Sequence, residues 1–178
     1  MASYVALFRG LNVGGRVAPM TELRALFEVA GATNVKSYIQ SGNVVYTAPA
    51  RSAAKLPARI EALFSRRFGF ESVVVVRSAE EFQAAIAANP FVGREANLAA
   101  LHVMFLAHVP AANAVAALDP MRSPPDTYVV RGREVYLNLP NGAGNSKLSN
   151  AYFDAKLRTT STIRNWNTVL KLGELLAG

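Results

Sequence analysis

Apolar residues recur along this chain in one order that is written twice. Residues 3–92 and 97–178 each read as strand, helix, strand, tight turn, strand, helix, strand, helix, a repeat with a period near half the chain. In the first half, residues 4–8 (YVALF) form an apolar strand, followed by the loop RGLNVGGR at 9–16. Pro19 suits a first helical turn, and Met20, Leu23, Leu26, Phe27 and Ala30 then recur at helical spacing until Gly31. Strand-like runs at 35–40 and 43–47 flank Ser41 and Gly42, a two-residue hairpin signal. Leu56, Ile60, Leu63, Phe64 and Phe68 mark a second amphipathic helix that tolerates Pro57 in its opening turn. A buried strand at 73–76 follows, and Ser78 with Glu81 forms a capping box for a helix ending near Pro90.

The segment GREAN at 93–97 is the expected boundary, which gives modules at 1–92 and 97–178. The second module predicts a strand at 101–107, a helix near 111–118 and a proline-bearing connection at 119–126. Strands at 127–131 and 134–139 flank Gly132 and Arg133; a loop at 141–146, a helix at 147–156, a strand at 160–163 and a helix at 168–176 complete it. Strands alternating with helices, with one hairpin per module, predict an α+β fold. It consists of two tandem split βαβ (ferredoxin-like, α–β plait) modules, each an antiparallel sheet of order 4-1-3-2 with helices on one face. The strands that open the modules are apolar on both sides, Tyr4, Ala6 and Phe8 opposing Val5 and Leu7, and Met104 and Leu106 opposing Val103 and Phe105. A sheet covered on one face alternates with polar residues, so the second face is expected to be covered by the other module or by a second chain in a homodimer.

Composition bounds this picture without changing it. At 178 residues, with 51% apolar and 17% charged residues, the chain can bury a core as one ordinary domain or two small ones. The absence of cysteine excludes disulfides, thiolate chemistry and Cys-ligated metal sites, and fits a reducing compartment. The opening residues MASY lack the features of a secretory signal, and no apolar run reaches the roughly 18–20 residues that span a bilayer. A soluble cytoplasmic protein with no membrane partner is expected. The net charge of +7 is spread evenly, with ten basic and six acidic residues in 1–92 and nine and six in 93–178. An even excess favours anionic partners in general and does not resemble a DNA-binding tail.

Topology collects the polar residues at two edges. At one edge of the first module, the end of the first strand, the hairpin and the entry to the fourth strand bring together Arg9, Asn12, Gly14, Gly15 and Arg16 with Gln40, Ser41, Asn43, Arg66 and Arg67. Arginine forks and open glycine amides can receive a phosphate or carboxylate. Turn chemistry alone also accounts for Gly, Asn and Ser there. At the opposite edge of the second module, NGAGNSK at 141–147 approaches Arg164, Asn165, Trp166 and Asn167. A glycine-rich turn feeding a helix N-terminus suits an anion, with Asn145, Ser146 and Lys147 as contacts and Trp166 as a stacking ring. The alternative is that Asn145 or Ser146 is a helix cap and Trp166 a core side chain. The spacing is not that of a Walker A loop.

Catalytic constellations are thin. His102 and His108, six apart on one strand, would stand about 20 Å from each other, too far to share a metal or act as a pair. No serine nucleophile elbow and no carboxylate pair is visible, and nothing calls for a cofactor or metal. The segments RGLNVGG (9–15), YIQSGNVVY (38–46), NGAGNSKLS (141–149) and TIRNWNTVLKL (162–172) resemble the signature segments of the family called domain of unknown function 1697. The resemblance spans essentially the whole chain. It implies two tandem α–β plait domains in a bacterial cytoplasmic protein, and no activity.

The leading expectation is a binding protein with little or no catalysis. Its ligand would be anionic and phosphate-bearing, such as a nucleotide or single-stranded nucleic acid, held by Arg9, Asn12, Arg16, Gln40, Asn43, Lys147, Arg164, Asn165 and Trp166. Alternatives are an enzyme acting on a small phosphorylated metabolite, with Lys147 and Arg164 stabilising developing charge, and a structural or interaction protein. The run at 43–47 lacks the paired exposed aromatics of an RNA-recognition module.

Overall fold

Short alternating apolar runs joined by tight turns pair with their neighbours in sequence, and here they do so twice. A computed structural model describes residues 1–93 and 96–178. Its N-terminal part runs β1 (Ala2–Phe8), α1 (Met20–Val29), β2 (Thr33–Tyr38), β3 (Asn43–Ala48), α2 (Ala50–Ala53), α3 (Leu56–Phe68), β4 (Val74–Ser78) and α4 (Ala79–Ala87). The rest runs β5 (Leu101–Leu106), α5 (Ala112–Ala116), β6 (Thr127–Arg131), β7 (Glu134–Asn138), α6 (Asn150–Leu157), β8 (Ser161–Asn165) and α7 (Trp166–Ala177), with short 3₁₀ turns at Leu98–Ala100 and Ala143–Asn145. The sheets have the orders β2-β3-β1-β4 and β6-β7-β5-β8, all neighbours antiparallel. Each is the 4-1-3-2 plait read from its other edge, so the fold is the one the hydrophobic rhythm predicts.

The chain forms two compact units, Met1–Ala84 with Leu172–Gly178, and Ala85–Lys171. The Gln83 amide Nε2 donates to the Gly173 carbonyl at 2.8 Å within the first unit. Of the expected boundary segment, Arg94 and Glu95 lie outside the described residues. Among the described residues, no helix is long and apolar enough to cross a membrane.

In the first unit the even positions of β1 set the core. Ala6 and Phe8 pack with Val44 and Tyr46 of β3 against Leu23 and Phe27 of α1 and Ile60 and Phe64 of α3. Phe8 sits at its centre, its ring centroid 5.4 Å from that of Phe64 and 6.1 Å from that of Phe27. Burying each such ring contributes roughly 1.5–3 kcal/mol. Met104, Leu106, Val135 and Leu137 play the same part in the second unit against Tyr152, Phe153 and Leu157 of α6. The opposite faces are buried as well, Val5 and Leu7 in one sheet and Val103 and Phe105 in the other. Each of those faces carries a buried arginine at the same topological position. Arg77 lies opposite Val5, and Arg164 lies opposite Val103. Both guanidinium groups turn back onto the carbonyl of the preceding residue, at 3.0 and 2.8 Å.

Where the elements stop, local hydrogen bonding decides. The Ser78–Glu81 capping box forms as expected, the Glu81 carboxylate accepting from Ser78 N–H at 2.8 Å and the Ser78 hydroxyl accepting from Glu81 N–H at 3.1 Å. The first hairpin is present, but its loop holds the four residues 39–42 rather than two. Strand β2 ends at Tyr38 because Ile39 adopts φ 48° and leaves the extended region. Helix α6 begins at Asn150, not at Lys147, because the Ser149 hydroxyl takes the cap and accepts from Tyr152 N–H at 3.2 Å. Strand β5 ends at Leu106, so His108 lies beyond it and is exposed.

Gly42 closes the first hairpin at φ 80°, and a Cβ there would stand 2.7 Å from Phe8 Cβ and 2.8 Å from Leu11 Cδ1. Replacing Gly42 by Ala therefore adds overpacking to backbone strain and should cost about 2–5 kcal/mol. Gly31, at φ 99° with open space around its Cα, supplies the control: Gly31→Ala should cost only the strain, about 1–2 kcal/mol. Urea titration of the two variants checks the difference, and equal losses would contradict the close approach at Gly42.

Candidate functional site

Arg9 is the first residue past β1, and backbone contacts fix where it stands. Its N–H donates to Val73 O at 3.1 Å, and its carbonyl accepts from the Ser72 hydroxyl at 2.8 Å. The chain then makes a miniature hairpin. Val13 and Arg16 form an isolated antiparallel bridge around Gly14 and Gly15, whose φ values of 59° and 82° suit the type I′ turn that two glycines allow. Asn12 locks the base of this hairpin. Its Oδ1 accepts from Ala18 N–H at 3.0 Å and its Nδ2 donates to Gln40 O at 2.5 Å. Arg16 is thereby held out from the loop, its guanidinium carbon 6.0 Å from the Phe70 ring centroid.

Helix α3 supplies the facing wall. Ile60 and Phe64 bury one stripe, which turns Ala58, Glu61, Ala62, Ser65 and Arg66 to another at i, i+3, i+4 spacing. These residues, with Arg9, Gly10, Arg16 and the segment 71–73, line an open cleft of about 960 Å³. The two alanines leave its floor low. Glu61 Oε1 accepts from Val74 N–H at 2.9 Å, tying the helix to the start of β4. Three arginines, Arg9, Arg16 and Arg66, thus face one space together with the carboxylates Glu61 and Glu71. Among the described residues, neither Arg16 nor Arg66 has an ion-pair partner, whereas Arg67 pairs with Glu22 at 2.5 Å and does not line the cleft.

Of the residues expected at this edge, the cleft gathers Arg9, Arg16 and Arg66 and omits the others. Asn12 is a loop clasp. Gln40 is exposed on the hairpin. Asn43 is fully buried, its Nδ2 donating to Tyr38 O at 3.0 Å and Ser41 Oγ at 2.9 Å, so these two side chains brace the turn. Sequence reasoning missed Glu61, Ser65, Glu71 and Ser72. The only signal of Glu61 and Ser65 was the polar stripe of α3, which reads like any solvated helix face, and Glu71 and Ser72 lie in the short connection from α3 to β4.

A family model described as "Protein of unknown function (DUF1697)" matches residues 1–136, a stretch that contains every residue of the cleft. The chain belongs to this family. Among solved structures, a conserved bacterial protein from Streptococcus pneumoniae is similar at 24% identity with a TM-score of 0.74, over 100% of this chain and 99% of that one. This likeness shows the fold. No curated protein matches the chain.

In this DUF1697 member the second polar edge is built as a clasp. The Asn145 amide donates to Asn141 O at 2.9 Å, and Ser146 Oγ accepts from Leu148 N–H at 3.0 Å. Lys147 N–H donates to Ser123 Oγ at 3.0 Å while its carbonyl accepts from Arg122 Nε at 3.1 Å. The Arg122 guanidinium in turn lies 4.1 Å over the Tyr152 ring. Asn165 caps α7, its Oδ1 accepting from Thr168 N–H at 2.9 Å. Arg164 is buried, donates to Thr162 Oγ1 at 2.6 Å, and is pushed down to about 10 by desolvation. Trp166 is 3% exposed. A ring so buried cannot stack on a ligand without rearrangement. His102 is half-buried, and burial lowers its pKa from the usual histidine value, against the opposing pull of the Ala100 carbonyl.

Trp166 and Lys147 therefore separate architecture from exposed charge. Trp166→Ala should cost about 3–5 kcal/mol of stability. Lys147→Ala removes an exposed side chain whose backbone contacts persist, and should cost about 0.5 kcal/mol or less. Denaturant midpoints of both variants test this assignment, and a Trp166→Ala protein as stable as the parent would return the ring to the list of ligand contacts.

Proposed function

We propose that this protein binds a phosphate-bearing anion in the cleft between α3 and the β1–α1 hairpin. The supporting observation is the convergence of Arg9, Arg16 and Arg66 on one open space of about 960 Å³. Guanidinium groups that face one space repel one another, and an anion that bridges them relieves that cost. Guanidinium groups suit phosphate in particular because their planar fork donates two parallel hydrogen bonds. Nucleotides and single-stranded nucleic acids share this chemistry with phosphorylated metabolites.

The binding reading takes precedence over a catalytic one. Among the described residues lining the cleft there is no histidine, cysteine, lysine or tyrosine, so neither Ser65 nor Ser72 has a histidine or lysine beside it to activate it as a nucleophile. One carboxylate, Glu61, accepts from the Val74 N–H with one of its oxygens.

The double variant Arg16→Ala/Arg66→Ala tests the reading. Both residues are exposed, so its unfolding free energy should stay within about 1 kcal/mol of the parent. Its affinity for inorganic phosphate, measured by titration calorimetry at low salt, should fall roughly tenfold or more for each arginine. Unchanged phosphate affinity would place the ligand elsewhere or nowhere.

A further inference from the structure

We propose that the ligand of this cleft is a small phosphorylated polyol, of the sugar-phosphate class, and not a nucleotide or a nucleic-acid strand. The inference rests on the anion-binding reading and narrows it. Three features of the lining carry it.

The first is the pair of carboxylates set among the arginines. Glu61 is half-buried and gives one oxygen to Val74 N–H, which leaves most of its acceptor capacity open. Glu71 is exposed, and among the described residues its carboxylate has no hydrogen-bond or ion-pair partner. A nucleic-acid strand carries a charge at every nucleotide, so a path through the cleft sets phosphates against these carboxylates, and like charges in contact cost affinity. A molecule with one phosphate and several hydroxyl groups meets both halves of the lining. Its phosphate takes the guanidinium forks, and its hydroxyls donate to the glutamates in charge-assisted bonds.

The second feature is the absence of an aromatic platform. Among the described residues, no Phe, Tyr, Trp or His lines the cleft. Phe70, the nearest ring in sequence, packs edge-on against Phe64 and lies beneath the Arg16 guanidinium. Base stacking is a principal source of affinity for single strands, and this lining cannot supply it. The hydroxyls of Ser65 and Ser72 stand there instead; Ser65 can donate or accept, and Ser72, which donates its proton to the Arg9 carbonyl, can accept. The third feature is size: about 960 Å³ lies within the range of roughly 300–1,000 Å³ of small-molecule pockets.

Titration calorimetry on the full chain tests the proposal with four probes: inorganic phosphate, a panel of aldose and ketose monophosphates, the nucleoside monophosphates, and an oligothymidylate. The best sugar phosphate should bind about tenfold or more tightly than inorganic phosphate, one charge-assisted contact's worth. Glu71→Gln should remove most of that advantage while leaving inorganic phosphate bound as well as before or better, since a repulsive charge has gone. Sugar phosphates no tighter than inorganic phosphate, or outbound by a nucleoside monophosphate or the oligothymidylate, would overturn the proposal. The anion reading survives that result if Arg66→Ala still weakens inorganic phosphate. Failure of every phosphate-bearing probe to bind overturns both.

Discussion

The end of β1 is gripped from both sides, and the geometry of the N-terminal unit follows from that grip. Phe8 N–H donates to Gly42 O at 2.9 Å and Arg9 N–H to Val73 O at 3.1 Å. Each bond is worth only about 1 kcal/mol net, yet together they join the last turn of the strand to the hairpin and to the entry of β4. The Phe8 ring is thereby driven between Phe27 and Phe64, which positions α1 and α3. The next residue, Arg9, has no choice but to leave the sheet at the mouth of the cleft. Core and cleft are thus lined by consecutive residues, Phe8 at the end of the strand and Arg9 just past it.

The two units share a topology and diverge where the chain is free to do so. Arg77 and Arg164 keep the same place and the same turn onto the preceding carbonyl, and Ser78 and Asn165 both cap the helix that follows. The connections after the opening strands differ. In the first unit residues 9–19 make a clasped hairpin that presents Arg16, and α3 runs for 13 residues. In the second unit only residues 107–111 join β5 to α5, and α6 has 8 residues. Loops carried on a repeated scaffold are where recognition is expected to differ.

The plait was legible because its hydrophobic pattern is clean: short continuous apolar runs at β1 and β5, a period of 3.6 along α1 and α3, and glycines at the turns. The errors fell where a side chain competes with the backbone. Nothing in residues 38–43 announces that Ile39 takes positive φ or that Asn43 is buried to brace the turn, since Asn and Ser read equally well as exposed contacts. Asn145 or Ser146 is the expected cap of the helix after residue 146, whereas Ser149 takes it and Leu148 packs into the core just before it. Arg9, Arg16 and Arg66 could be brought together from topology alone. Glu61 and Glu71 could not, because what sets them apart from other surface glutamates is the cleft, and a cleft is a property of three dimensions.

The central claim is that anion recognition lies at the clasped end of β1 and not at the Asn141–Trp166 edge, where Asn145, Ser146, Arg164, Asn165 and the Lys147 backbone are hydrogen-bonded within the fold and Trp166 is buried. Amide chemical shifts of the ¹⁵N-labelled full chain, followed while inorganic phosphate is added, test that most directly. The account predicts shifts concentrated in residues 9–17, 58–66 and 71–73, saturating together. Saturable shifts centred on residues 141–149 and 164–167 instead would contradict it.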